Sequence, residues 1–106
     1  MTEYIQVITT TDSREEADRI AEALVDGRLA GCVQVVGPIR SRYRWKGEVE
    51  EAEEWLCLVK TKRDLYSEVE EAVHRVHSYE VPEILGVPVV EGSKSYLDWL
   101  EAELKK

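Results

Sequence analysis

Hydrophobic positions fall into blocks whose period changes from two to about 3.6 and back again along the chain. Tyr4 to Thr9 is a short β-rich run and reads as a buried strand. Thr10-Thr11-Asp12-Ser13 follows as a turn-and-cap cluster, in which Asp12 with Glu15, or Ser13 with Glu16, makes a capping box. Ala17, Ile20, Ala21 and Leu24 then recur at helical spacing, and Gly27 ends this helix where a positive φ is useful. Leu29 to Val36 predicts a second strand, interrupted at Gly37-Pro38 because proline cannot donate to a ladder and marks a bulge or an edge. Strand character resumes from Ile39 to Trp45, Lys46-Gly47 makes a tight turn, and Glu48 onward runs back as a third strand to Thr61. Asp64 caps a second helix whose buried stripe is Leu65, Val69, Ala72, Val73 and Val76. Tyr79 to Pro82 is a break, and Ile84 to Val90 is a last strand, with Pro88 pointing to an edge or bulge. Gly92-Ser93 opens a third helix with Leu97, Leu100 and Leu104 on one face.

The order is β-α-β-β-α-β plus a terminal helix. It predicts an α+β fold of ferredoxin-like type, with two helices over one face of an antiparallel sheet. Residues 1–106 read as a single domain, with no repeat, low-complexity tract or linker. The hairpin arms, Cys32 to Trp45 and Glu48 to Thr61, are unusually long and would reach roughly 45 Å. A domain of this size has a radius of gyration near ~13 Å, so the hairpin should overhang its own domain. An overhang with Tyr43, Trp45 and unpaired edges needs a partner to cover it, which predicts an obligate oligomer.

Charge narrows the partners. The chain has 22 Asp plus Glu against 14 Lys plus Arg, a net charge of −8. A field of that sign repels nucleic-acid phosphates and anionic membrane surfaces and attracts cations. No stretch approaches the ~20 apolar residues of a membrane span. The start, Met1-Thr2-Glu3-Tyr4-Ile5, has neither the basic residues nor the apolar run of a signal peptide. Two widely spaced cysteines fit a reducing cytoplasm with free thiols.

No nucleophile elbow, zincin, Cys-x-x-Cys or dinucleotide-binding signature is present, which points away from conventional catalysis. His74 and His77, three apart near the end of the second helix, share a face there; they could bind copper or zinc, or complement the helix C-terminus. With Lys46-Gly47 as the turn, Cys57 falls opposite about Val36, roughly 13 Å from Cys32, too far for a disulfide or a shared metal within one subunit. Cys57 reads as a small core residue, whereas Cys32, beside Gly31, reads equally as a small core residue or as a thiol open to close approach by a ligand. The acidic run Glu48, Glu50, Glu51, Glu53, Glu54 alternates faces and reads as a solvated edge. Trp45, Trp55 and Trp99 read as packing or interface residues.

Several segments in register carry a family resemblance: Leu29-Ala30-Gly31-Cys32-Val33, Tyr43-Arg44-Trp45-Lys46-Gly47-Glu48, Lys60-Thr61, His77-Ser78-Tyr79-Glu80-Val81-Pro82-Glu83-Ile84, Pro88-Val89, Gly92 and Tyr96-Leu97-Asp98-Trp99-Leu100. Over nearly its whole length the chain resembles the CutA divalent-ion-tolerance proteins. The resemblance implies a ferredoxin-like homotrimer similar to the PII-type signalling proteins, with the hairpins embracing neighbouring subunits. It implies a role in tolerance of copper and other divalent cations, with no obligatory cofactor and no classical catalysis. Carried over by residue, it makes Cys32, His77 and Glu83 the metal site and places Lys60, Tyr79 and Trp45 around a cleft between subunits. Ser78 stands where the family usually has proline and Gly31 where alanine is common, so the backbone after His77 is less constrained. The alternative reading is a PII-like signalling trimer that binds a small anion through Lys60, or an oligomeric scaffold.

Overall fold

A computed structural model of the chain describes residues 3–106; Met1 and Thr2, part of the N-terminal stretch considered above, lie outside the described residues. The elements are β1 (Tyr4–Thr11), α1 (Arg14–Asp26), β2 (Cys32–Trp45), β3 (Glu48–Lys62), a 3-10 turn (Arg63–Leu65), α2 (Tyr66–Val76), β4 (Ile84–Pro88) and α3 (Lys94–Glu103). The four strands form one antiparallel sheet in the order β2-β3-β1-β4, so β2 and β4 are its edges. This is the ferredoxin-like arrangement that the element order predicts.

Strand alternation divides the sheet into two unlike faces. Ile5, Val7 and Thr9 of β1 stand beside Thr61, Val59 and Cys57 of β3, and all six are buried against the helices. Ile20, Leu24, Val69 and Val73 close the core from α1 and α2, and Leu100 and Leu104 enter it from the C-terminal segment. On the other face run Cys32, Lys60, Gln6 and Val87 in one row and Gln34, Leu58, Ile8 and Leu85 in the next. α3 reaches the end of this face, where Glu101 holds Tyr4 and Lys62 and Tyr96 lies near Cys32, while α1 and α2 lie on the opposite side of the sheet. Ile8 and Leu58 are half-buried, while Leu85, Val87 and the nearby Val36 are exposed.

The overhang is present. β1 accompanies β3 only from Lys62 to Trp55, so Glu48 to Glu54 has β2 as its sole strand neighbour. The molecule measures 44 × 26 × 22 Å with a radius of gyration of 14.2 Å. Lys46 and Gly47, both at positive φ, make the tight turn at its tip.

Four local expectations are corrected. First, the interruption at Gly37-Pro38 is a bulge, and it moves the ladder: Cys57 pairs with Val35 instead of Val36, and Cys32 with Lys60. The indole of Trp55 fills the space over Gly37, where any Cβ would sit 2.4 Å from the ring. Second, the positive φ after α1 belongs to Arg28 (φ 58), while Gly27 stays helical. Arg28 is held there because its guanidinium donates to the carbonyls of Ala102 (3.0 Å) and Glu103 (3.1 Å), capping the end of α3. Third, Asp64 lies in the 3-10 turn, and α2 begins at Tyr66 with no side-chain cap. Fourth, α2 ends at Val76 and β4 at Pro88, so His77 lies beyond the helix and Val89-Val90 beyond the strand.

Candidate functional site

Ser13 caps α1 as its sequence position predicts, its hydroxyl accepting from the Glu16 amide at 3.1 Å. The Glu16 side chain does not complete a capping box. It is buried and turns to a different set of donors: the Thr11 hydroxyl, and the Ser78 amide and hydroxyl, each at 3.3 Å. Burial alone would push this carboxyl up, but the bonds from Thr11 and Ser78, with His77 beside it, outweigh burial and hold it below its usual range.

Next to Glu16 lies His77, whose side chain is fully buried. Its Nε2 donates to the Thr10 carbonyl at 2.6 Å, and its Nδ1 accepts from the Tyr79 amide at 3.1 Å, 3.5 Å from a Glu16 oxygen. Those partners fix the tautomer and engage both ring nitrogens. Because His77 has left the helix with an extended backbone, it does not share a face with His74, which stays exposed on α2.

Tyr79 continues the chain of contacts. Its ring packs beside His77 at 4.8 Å between centroids, and its hydroxyl donates to Glu54 at 2.7 Å. Burial first and the Glu54 carboxylate second push the phenol well above its usual range. Glu54 therefore departs from the solvated acidic edge expected of Glu48 to Glu54: it is 5% exposed.

Apart from buried His77, the candidate residues fall in two places. Trp45, Tyr79 and Glu83 line a groove of about 840 Å³ between the overhanging hairpin and the 78–83 segment. Cys32 and Lys60 face each other across β2 and β3 at the far end of the same sheet face. Six residues separate Lys60 from Glu54, roughly 20 Å of strand. Lys60 is engaged by the Gln6 side chain. Cys32 is a half-buried free thiol near Tyr96, whose phenol is pushed up by burial first and by Cys32 second. Cys57 is fully buried under Ala17, and burial raises its thiol to about 11.

This distribution bears on metal binding. No three His, Cys, Asp or Glu side chains converge among the described residues. A tetrahedral site needs three or four such donors, and Cys32, His77 and Glu83 of one copy do not supply them together. One chain alone does not fit a preformed metal centre.

The sheet order, the overhanging hairpin and the C-terminal helix define a ferredoxin-like α+β protein whose second sheet face is largely exposed. Residues 5–103 match the family model for the CutA1 divalent ion tolerance protein. Among relatives, the divalent-cation tolerance protein CutA of Thermus thermophilus is 49% identical over 94 residues, covering 89% of this chain and 91% of its own length. That of Archaeoglobus fulgidus is 40% identical over 95 residues, covering 90% and 92%. Among solved structures, CutA1 from Thermus thermophilus superposes with a TM-score of 0.94 at 45% identity, covering 96% of this chain and 99% of that one. CutA1 from Oryza sativa gives 0.95 at 33% identity, covering 99% and 96%. The chain belongs to the CutA1 divalent ion tolerance family. Among the described residues, no helix is long and apolar enough to cross a membrane.

Proposed function

We propose that the chain acts as a cytoplasmic homotrimer in the response to divalent cations, without classical catalysis, and binds copper or another divalent ion at the boundary between copies. One observation carries this reading: Cys32 lies on the edge strand β2 and on the sheet face opposite α1 and α2, a half-buried thiol beside Tyr96 of α3. A copy that covers Ile8, Leu58, Leu85 and Val87 also encloses the Cys32 thiol. The same copy relieves the open β2 edge and the exposed overhang. A thiolate favours a soft ion such as copper over magnesium or calcium. Because one chain does not converge three donors, the donors that complete the site come from a neighbouring copy, with Glu83 as the carboxylate; His77, in its own copy, is already engaged on both nitrogens.

The test is a Cu(I) and Cu(II) titration of the reduced protein against a competing chelator, with native mass measured alongside for wild type and Cys32→Ala. The expected result is a trimer with fixed-ratio binding that Cys32→Ala abolishes while the trimer persists. A monomer, or binding indifferent to Cys32, overturns the reading. Saturable phosphate or carboxylate binding lost in Lys60→Ala, with no metal site, would move the function to the PII-like alternative.

A further inference from the structure

The sheet row that carries Cys32 also carries a positive charge without a counter-charge. Lys60 stands directly opposite Cys32 across β2 and β3, and Gln6 stands opposite Lys60 across β3 and β1. All three residues are half-buried. The Lys60 ammonium donates to the Gln6 side-chain oxygen, a neutral acceptor, and among the described residues no Asp or Glu forms an ion pair with it. Lys62, the next cation on the same face of β3, is treated differently: Glu101 balances it at 2.8 Å.

An ion held by the Cys32 thiol meets that ammonium. Neighbouring strands lie about 4.8 Å apart, so a Lys60 side chain reaching toward Gln6 keeps its charge within roughly 10 Å of Cys32. A copy that completes the site also excludes water from the row. There an extra unit charge at this distance is worth about tenfold or more in an equilibrium constant. The charges of the completed site then decide which ion it suits. The Cys32 thiolate and the Glu83 carboxylate of a neighbouring copy are negative, and Lys60 is positive. The thiol proton leaves to solvent when the ion binds. A univalent ion brings the enclosed charge to zero, whereas a divalent ion leaves one positive charge that water no longer solvates. Sulfur acts in the same direction, because a soft thiolate selects Cu(I).

We infer that Lys60 sets the charge of the ion that the Cys32 site accepts, making its ligand a univalent soft cation, Cu(I) or an ion of that kind. This rests on the proposed reading of Cys32 as a ligand at the boundary between copies. Gln6 is the positioning residue, since it holds the ammonium on the row without neutralising it. Lys60 thus discriminates between ions without touching them.

The test uses the full-length protein in its native assembly, reduced and in chloride-free buffer. Ag(I) and Zn(II) are the probes, because neither oxidises the thiol. Calorimetry against a competing chelator gives the ratio of their affinities. Thiolate softness alone favours Ag(I), so the change of ratio between variants is the decisive reading. Lys60→Met removes the charge and keeps the chain length. Gln6→Glu leaves Lys60 in place and neutralises it. Each should improve Zn(II) binding relative to Ag(I) by about tenfold or more. Lys60→Arg, which keeps the charge, should keep the ratio of the wild type. An unchanged ratio in Gln6→Glu and in a folded Lys60→Met, with both ions still bound through Cys32, overturns the inference and leaves the Cys32 site standing. So does a wild type that holds Zn(II) more tightly than Ag(I). Binding of neither ion, or binding indifferent to Cys32→Ala, removes the site and the inference together.

Discussion

Replacing His77 by alanine separates two roles that an imidazole can play. In the folded chain the ring has no exposed surface, and its nitrogens serve the Thr10 carbonyl at 2.6 Å and the Tyr79 amide at 3.1 Å. Alanine removes both bonds and leaves two backbone groups without partners at about 1–3 kcal/mol each. It also opens a void beneath Tyr79, which adds about 24 cal/mol per Å³ that fails to collapse. The expected loss is about 3–5 kcal/mol, allowing for partial relaxation. For a chain of this size that corresponds to a fall in Tm of more than about 10 °C. The measurement is urea and thermal unfolding of chelator-treated protein at fixed concentration, since assembly makes Tm concentration-dependent. Cys32→Ala serves as the control and should change stability by less than about 1 kcal/mol, its thiol lying outside the core. If metal-free His77→Ala unfolds within about 1 kcal/mol of wild type, the imidazole is not held by the fold, and the argument that its nitrogens are engaged collapses.

Three further outcomes follow from single contacts. At Gly31 an added Cβ would lie 2.6 Å from Leu100 Cδ1 and close to the Trp99 ring, so Gly31→Ala should cost about 1–3 kcal/mol and shift Trp99 fluorescence as α3 is displaced; an unchanged spectrum and stability would show that α3 yields freely. Iodoacetamide at pH 8 should label Cys32 in the native protein and Cys57 only on unfolding, because Cys57 is buried and its thiol stays protonated until pH nears about 11; equal labelling rates would contradict the packing under Ala17. Glu16 is depressed in the folded state, so its contribution is present above the ordinary carboxyl value of 4.5 and lost as pH falls through the lower folded value. Glu16→Gln should therefore flatten the stability profile below about pH 4.5, and an unaltered acid limb would mean that other carboxylates control it.

Periodicity was enough to read the architecture because each element buries a regular face: Val7 and Thr9 alternate, Ile20 and Leu24 recur by a turn, and most helical positions chosen from spacing are buried, with Ala21, Val76 and Leu97 half-buried at the margins. The length of the hairpin was legible for the same reason. What escaped the sequence depends on geometry beyond nearest neighbours. The bulge at Gly37-Pro38 was expected, but not its one-residue effect on the ladder, because nothing local says which strand accommodates the extra residue. Arg28 took a conformation usually left to glycine because carbonyls some 75 residues away reward it. Glu16 looked like half of a capping box and Glu54 like a solvated charge; each is buried by residues of the 77–83 segment, which no pattern in either neighbourhood announces.

These two carboxylates explain how an irregular segment becomes a fixed wall. From Ser78 to Glu83 the chain has no ladder and no helix to set its course. Ser78 is tied to Glu16 on α1, His77 to the β1 backbone, and Tyr79 to Glu54 on β3, so three elements hold three consecutive residues. A proline at position 78 would restrict the backbone covalently, whereas Ser78 restricts it by donating two hydrogen bonds to a buried carboxylate. The one device removes entropy from the unfolded chain, the other makes bonds in the folded one. It also makes the wall sensitive to the charge of Glu16: protonation below its depressed value weakens the bonds that hold Ser78 and, through it, the segment that faces the overhang. The groove and the acid stability of the protein are in this way coupled through one side chain on α1.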